Sequence, residues 1–418
     1  MNVVERGQVE KLPKGWKWVK LGEICEINPT RPRGLSRDDD APITFVPMPS
    51  VDARLGKITN PQIRPFSEVR KGYTYFEEND VLFAKISPCM ENGKHSIASD
   101  LIDSFGFGTT EFHVLRAGSS VIPEWIYRFL RQPKISKEAV EHFSGSVGQQ
   151  RVPAGYLSNL EILLPPLPEQ KRIVDILTDR LSTIDKARAA TEVQLKAAKA
   201  LPAAYLRQVF DSPEARKWKR SKLGDIALIS GGLQKTPNRS PSSFHRSYLT
   251  VRNVQRGWLD LSAVERFEIT LGELERCRLK RGDLLIVEGN GSVDHIGRNA
   301  IYQGEPEDCI HQNHLIRVRL DQTRNDPNFL SFYLNSDFGK KQMLEKAMST
   351  TGLHTLSVSK IQQMEAPIVS LEEQRRITSD IKEMLSTVTK LEQSLQSQLD
   401  TINKLPAALL RQAFNGEL

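Results

Sequence analysis

Apolar side chains recur every three and four residues along two long stretches of the chain. In the first, the positions are Val174, Leu177, Leu181, Ile184, Arg188, Thr191, Leu195 and Ala198; in the second, Thr378, Ile381, Leu385, Val388, Glu392, Leu395, Leu399 and Ile402. Neither stretch is interrupted by Gly or Pro until Pro202 and Pro406, and Leu, Ile, Glu, Gln, Lys and Ala predominate. Such a 3.5-residue seam predicts two coiled-coil helices of about 45–50 Å, with a break expected at each proline. Pro168 suits the first turn of the first helix. Ser370 and Glu373 have the spacing of a capping box at the start of the second.

The two stretches are copies of one another. Leu167-Pro-Glu-Gln-Lys-Arg-Ile173 aligns with Leu371-Glu-Glu-Gln-Arg-Arg-Ile377, and Leu201-Pro-Ala-Ala-Tyr-Leu-Arg-Gln-Val-Phe210 with Leu405-Pro-Ala-Ala-Leu-Leu-Arg-Gln-Ala-Phe414. The offset is 204 throughout, and 19 of 44 positions are identical without a gap. A repeat of this kind organises everything else. The segments before each copy share only anchors. Trp16 to Ile24 echoes Trp218 to Ile226, Asn79-Asp80 echoes Gly282-Asp283, and Pro123 with Trp125 and Phe129 echoes Pro327 with Phe329 and Tyr333. The chain therefore divides into variable blocks at 1–165 and 218–368, each followed by a nearly constant helical block at 166–217 and 369–418.

A seam needs a partner, and two helices in one chain pack most simply on each other, antiparallel. Leu177, Leu181, Ile184, Arg188 and Leu195 would then face Ile381, Leu385, Val388, Glu392 and Leu399. Arg188 and Glu392 hold equivalent seam positions, so their opposite charges would meet, offsetting the desolvation each would otherwise suffer; the alternative is that both point to solvent at a seam edge. The C-terminal segment stands to the N-terminal block as Phe210 stands to the second block. The ends are therefore expected to lie together in a pseudo-twofold molecule.

Both variable blocks are punctuated by Gly and Pro and read as α+β, with strands near 43–47, 81–84, 111–115, 248–251, 284–287 and 315–320 and helices near 123–130 and 327–334. Polar loops recur at corresponding places: Lys85, Ser87, Asn92, Lys94 and His95 after one strand, and Asn290, Ser292, His295 and Arg298 after its counterpart. Gln149, Gln150 and Arg151 precede the first long helix, and Thr350, Thr351, His354 and Thr355 the second, with Arg252 and Asn253 in a further loop. These side-chain types read base edges in the major groove. One such residue is more often simply solvated; the weight lies in loops that recur with different residues, as two related readers of two different sequences would require.

The chain has 418 residues, 39% hydrophobic and 26% charged, which fits two to four globular domains. Its net charge of +7 permits a nucleic-acid partner without demanding one. Residues 369–418 carry six basic and seven acidic side chains, so the second helix is better suited to a protein contact than to a phosphate track. Residues 1–20 lack the apolar core of a secretory signal, and no run of about 18 apolar residues offers a membrane span. The scattered Cys25, Cys89, Cys277 and Cys309 suit reduced thiols, so a cytoplasmic location is expected.

Catalytic signatures do not emerge. There is no P-loop, no dinucleotide fingerprint and no Asn/Asp-Pro-Pro-aromatic run. Asp283 and Glu288 have nearly the spacing of a nuclease pair, but Asn290 stands where the Lys would be. Cys309, His311 and His314 lack an evident fourth ligand, so no metal is expected.

The doubled helix-start motif, Pro165-Pro-Leu-Pro-Glu-Gln-Lys-Arg-Ile173 and Glu373-Gln-Arg-Arg-Ile377, with the opening Leu12-Pro-Lys-Gly-Trp16, the Asp80 and Asp283 turns and the ending Leu409-Leu-Arg-Gln-Ala-Phe-Asn-Gly-Glu-Leu418, resembles the specificity subunit of Type I restriction–modification enzymes. The resemblance spans essentially the whole chain. It implies a non-catalytic scaffold in which each variable block is a target recognition domain reading one half of a bipartite, asymmetric double-stranded DNA site. The helices would set the spacing and dock two methyltransferase subunits, with restriction/translocase subunits joining for cleavage. It implies that this chain binds no cofactor itself, S-adenosylmethionine, ATP and Mg2+ belonging to the partners. Two other readings are a stand-alone DNA-binding regulator, which would co-purify with no methyltransferase, and a fused nuclease or methyltransferase, which would be active alone with metal or S-adenosylmethionine.

Overall fold

A computed structural model describes residues 12–146, 150–235, 244–289, 296–347 and 355–418. The chain forms two compact units, Met1–Glu192 with Ser397–Leu418, and Val193–Gln396. Each unit thus holds one variable block, part of one long helix and part of the other. The helices do not separate as modules of their own.

The first unit is built on two four-stranded sheets. One runs in the order Cys25–Ile27, Phe112–Ala117, Val81–Ala84, His95–Ile97, all antiparallel. The other runs Gln62–Pro65, Pro42–Val46, Phe105–Gly108, Thr74–Glu77, with its two central strands parallel. A two-stranded ribbon, Lys17–Lys20 against Glu161–Leu164, joins the block's beginning to its end. The second unit repeats this plan. Its larger sheet is ordered Ala227–Gly231, Leu315–Leu320, Leu284–Val287, Asn299–Ile301, and its smaller one Glu265–Glu268, His245–Leu249, Ile310–His311, with His245–Leu249 and Ile310–His311 again parallel. Lys219–Lys222 pairs with Glu365–Ile368 as the closing ribbon.

The sequence explains the central strands. Val81–Ala84 and Leu284–Val287 are uninterrupted apolar runs, and every residue in both is buried, as a strand covered on both faces requires. Each is entered by a turn through a left-handed residue, Asn79 at φ 70° and Gly282 at φ 91°. The next residue, Asp80 or Asp283, is 2% or 1% exposed and accepts from the backbone N–H of Glu77 or Lys280 at 2.7 Å. Its buried charge is met by a two-point guanidinium fork, from Arg116 at 2.9 and 2.8 Å and from Arg319 at 2.6 Å twice. The recurring aspartate is structural in both units.

The Glu-Gln motif has an equally local cause. Gln170, wholly buried, accepts from Ile122 N–H at 3.0 Å and donates to Ser120 O at 3.0 Å and Pro165 O at 2.8 Å. Gln374 accepts from Asp326 N–H at 2.8 Å and donates to Val369 O at 3.0 Å and Arg324 O at 3.4 Å. Each glutamine staples the start of a long helix to the loop that opens the short helix Pro123–Leu130 or Pro327–Asn335. Glu169 and Glu373 each form a two-point pair with the Arg three residues on, Arg172 or Arg376. Ser370 Oγ caps the second helix by accepting from Glu373 N–H at 3.2 Å.

The long helices run Leu167–Phe210 and Leu371–Phe414, 44 residues each. Neither ends at its proline, contrary to the break expected at Pro202 and Pro406. The stretch beyond each proline carries the residues that anchor it: Leu206 and Phe210 are buried with Ile377 and Ile381, while Leu409, Leu410, Ala413 and Phe414 are buried with Ile173, Val174 and Leu177. Packing of these side chains outweighs one lost backbone hydrogen bond. Within each unit the end of one helix therefore lies against the start of the other, the antiparallel arrangement the seam predicts. Leu181 and Ile184 pack on the first core and Leu385 on the second, and Leu195 and Val388 are also buried.

Arg188 has partners of its own inside the first unit. Its Nε donates to Asn403 Oδ1 at 2.9 Å and its NH1 to Asp185 Oδ1 at 2.8 Å, one turn back on its own helix. Asp185 and Asn403 thus satisfy the guanidinium within the first unit.

The C-terminal residues lie against the start of the first block, as expected. Phe414 lies 4.4 Å from Trp125 between ring centroids, Trp125 stands edge-on to Trp16 at 6.1 Å, and a Cβ at Gly416 would meet Pro13. In the second unit Phe210 takes the same place between Trp218 and Phe329.

Candidate nucleic-acid interface

The polar loops of each block converge. In the first unit Ile86 bridges Arg151, Ser87 N–H donates to Gln150 O at 3.0 Å, and Val152 N–H donates to Lys85 O at 2.9 Å. In the second Gly289 bridges Thr355, and Leu356 N–H donates to Glu288 O at 2.6 Å. A third segment joins at the same point: Lys85 N–H donates to Glu111 O at 2.9 Å, and Glu288 N–H to His314 O at 3.0 Å. One backbone frame thus appears twice. It displays Lys85, Glu111 and Arg151 in the first unit and Glu288, His314 and Thr355 in the second.

The chemistry on the two frames differs. Arg151 forks onto Glu111 at 2.9 and 2.8 Å, which holds the Glu111 carboxyl below its usual range. Burial lowers the Lys85 ammonium, partly opposed by the nearby Glu111. On the second frame Glu288 Oε2 contacts exposed His314 Nδ1 at 3.0 Å, and Thr355 is exposed. The first frame offers donors held by an acid, the second an acid, an imidazole and a hydroxyl. Guanine presents acceptors in the major groove and cytosine a donor, so two such sets suit different bases.

Several expected readers have other duties. His95 is fully buried, stacked 4.2 Å from Phe83, and its Nδ1 accepts from Ala84 N–H at 3.2 Å; burial pushes its pKa down to about 3. Lys94 Nζ donates to Met48 O and Val51 O at 3.2 and 3.1 Å. Asn253, 4% exposed, accepts from Thr250 N–H and donates to Asp260 O and Ala263 O. Arg298 NH2 donates to Val251 O at 3.0 Å, and burial lowers its pKa. Ser87 Oγ donates to Glu91 at 2.6 Å. Each of these side chains is committed to the fold, because a loop that turns sharply beside a sheet must satisfy its own carbonyls before it can offer anything outward. Asn92 and Arg252 are exposed, and Gln150 is half-buried. Gln149, Asn290, Ser292, His295, Thr350, Thr351 and His354 lie outside the described residues.

Sequence reasoning passed over Glu111 and weighed His314 only as a metal ligand. The 203-residue offset between them, matching that of Asp80 and Asp283, was the available signal. His311 is buried with its Nδ1 against Cys277 O at 3.2 Å, so it does not share a site with exposed His314.

Comparison with known proteins accounts for this duplication. The family described as the Type I restriction modification DNA specificity domain matches residues 13–196 and again 215–401. The chain belongs to this family. It is similar to the Type I restriction enzyme EcoAI specificity subunit of Escherichia coli, 36% identical over 224 residues, covering 52% of this chain and 38% of that protein. The match thus spans little more than a third of that relative's length. In fold it is similar to the HsdS subunit from Thermoanaerobacter tengcongensis, with a TM-score of 0.68, 23% identity and 98% of each chain covered. It is also similar to a chain in a structure concerned with complex assembly and conformational transition of the type I R-M system, with a TM-score of 0.76, 23% identity, and 98% and 100% covered. Both matches run through the two copies of the specificity fold. Among the described residues no helix is long and apolar enough to cross a membrane.

Proposed function

We propose that this chain is the DNA-reading subunit of a Type I restriction–modification complex. Each unit reads one half of a bipartite, asymmetric duplex site, and the chain itself performs no catalysis. The observation that carries this reading is the frame found twice with different side chains, Lys85–Glu111–Arg151 and Glu288–His314–Thr355. Duplicated catalysts would keep their reactive groups, whereas duplicated readers must change theirs to recognise different bases.

The long helices fit a second task. Their exposed faces follow the most nearly constant stretch of sequence in the chain, and the last 50 residues carry a slight acidic excess, so these faces suit protein partners more than phosphates. Two methyltransferase subunits would dock there, bringing S-adenosylmethionine for adenine methylation, and restriction/translocase subunits would bring ATP and Mg2+. The protein would work in the cytoplasm, beside the DNA.

Methylome sequencing of a host expressing the chain with its partner subunits tests the reading. A two-part motif with a fixed gap is expected. Gln150→Ala should then weaken binding at one half-site only; equal losses on specific and random duplexes would assign Gln150 to phosphate, and no new methylated motif would overturn the function.

A further inference from the structure

Beside each loop cluster stands a short hairpin whose tip is apolar and exposed. In the first unit it covers residues 51–58, and Leu55 at its tip is 50% exposed. In the second it covers residues 253–260 around the Val254–Leu259 bridge, and Trp258 is 58% exposed. Both turns pass through a left-handed glycine, Gly56 at φ 63° and Gly257 at φ 90°. A Cβ at Gly56 would sit 1.5 Å from the Tyr127 hydroxyl, so the tip is seated closely on the body of the unit.

The hairpins are tied to the reading loops by cations, two of which, Lys94 and Arg298, the sequence had offered as readers. Lys94 grips Met48 O and Val51 O, and Arg131 NH1 bridges Ala53 O and Gly93 O at 2.6 and 2.7 Å. In the second unit Arg298 grips Val251 O, and Gly257 N–H donates to Asn299 O at 2.8 Å. Positive charge at the end of the reading loop is thus spent on fixing the hairpin alongside it.

The acids on the hairpins are engaged by their own turns, while the cations are not. Asp52 closes its own turn, its Oδ1 accepting from the N–H groups of Arg54 and Leu55 at 2.8 and 2.7 Å. Asp260 likewise accepts from Ser262 N–H and Oγ. Arg54, Lys57 and Arg252 stay exposed. An apolar tip flanked by outward cations, on a rigid turn next to base-reading loops, matches the way proteins set an apolar side chain against the groove while neighbouring cations hold phosphates.

We propose that these hairpins are a further DNA-contacting element in each unit, with Leu55 and Trp258 packed against the edge of the duplex beside the bases read by the loops, and Arg54, Lys57 and Arg252 on adjacent phosphates. The inference rests on the DNA-reading function. Lys94, Arg131 and Arg298 are then positioning residues that hold the hairpin in register.

The test uses the full chain and a duplex carrying the site defined by methylome sequencing, with a scrambled duplex as reference. Trp258→Ala should weaken specific binding roughly tenfold, in line with the loss of one aromatic contact to a nucleotide. DNA-induced quenching of tryptophan fluorescence should vanish in Trp258→Phe and persist in Trp18→Phe, whose indole is also exposed in the native chain. Arg252→Ala should reduce the slope of log affinity against log salt by about one. Specific binding by the native chain with affinity and quenching unchanged in the Trp258 variants would overturn the hairpin contact alone. Equal affinity of the native chain for both duplexes would overturn the DNA-reading function itself.

Discussion

Replacing Gln170 with Ala removes a side chain that staples the first recognition block to its helix. Three hydrogen bonds of 2.8–3.0 Å are lost, and the Ile122 N–H, the Ser120 carbonyl and the buried Pro165 carbonyl are left without that partner. At about 0.5–1.5 kcal/mol for each of the three bonds, the cost comes to roughly 1.5–4.5 kcal/mol. Gln170→Met keeps the volume and isolates the hydrogen-bond part. Gln374→Ala should cost less, because its contact to Arg324 O is stretched to 3.4 Å. Native-state hydrogen exchange read by mass spectrometry suits a two-unit protein, for which a single unfolding free energy is poorly defined. Protection around Ile122 should fall in the Gln170 variants and protection around Asp326 in the Gln374 variants, each unit serving as the other's control. If Gln170→Met exchanges like the native chain, the staple is not held by hydrogen bonding and the reasoning fails. Loss of protection in both units from either variant would refute its local character.

Three further outcomes follow from particular side chains. Arg188→Glu should destabilise the chain by about 1 kcal/mol through repulsion with Asp185 and loss of the Asn403 contact; adding Glu392→Arg should not restore it, and full recovery in a thermal melt would show that Arg188 does depend on Glu392. His95 and His311 are each held down to about pKa 3 by burial, from an ordinary value of 6.5. The unfolded chain takes up their protons first, so their contribution is intact above pH 6.5 and falls as pH drops toward 3, by up to about 1.4 kcal/mol per pH unit for each histidine; imidazole resonances that titrate near pH 6 would refute this. Pro202→Ala should raise the melting temperature, since the helix continues through that position and alanine supplies the missing N–H; a gain of about 1–3 kcal/mol is expected, and destabilisation would mean the proline ring packs productively.

Much of the architecture was already written in one dimension. The 204-residue repeat announced two copies of one plan, and apolar runs placed the strands Val81–Ala84, Leu284–Val287 and Leu315–Leu320 and the helix Pro123–Leu130 with those bounds. The helical seam marked which face is buried and implied the antiparallel contact. These features are legible because periodic burial leaves a periodic sequence, and because a duplicated fold preserves the groups that close its turns, Asp80 with Asp283 and Gln170 with Gln374.

The interface was legible only as a neighbourhood. Loop composition located the clusters but could not separate residues facing solvent from residues facing their own backbone. Lys94, His95, Asn253 and Arg298 were indistinguishable from readers by type, yet three of them bind carbonyls and His95 stacks in the core. Glu111 and His314 joined the frame through main-chain hydrogen bonds that any residue could make, so no side-chain signal marked them. Prolines 202 and 406 misled for a related reason: a helix break is a local preference of a fraction of the energy that Phe210 and Phe414 gain from burial. Local chemistry fixes where the chain can turn and which face is apolar. Which polar group is left free to meet DNA depends on which carbonyls lie within about 3 Å of it, and only the folded chain brings those together.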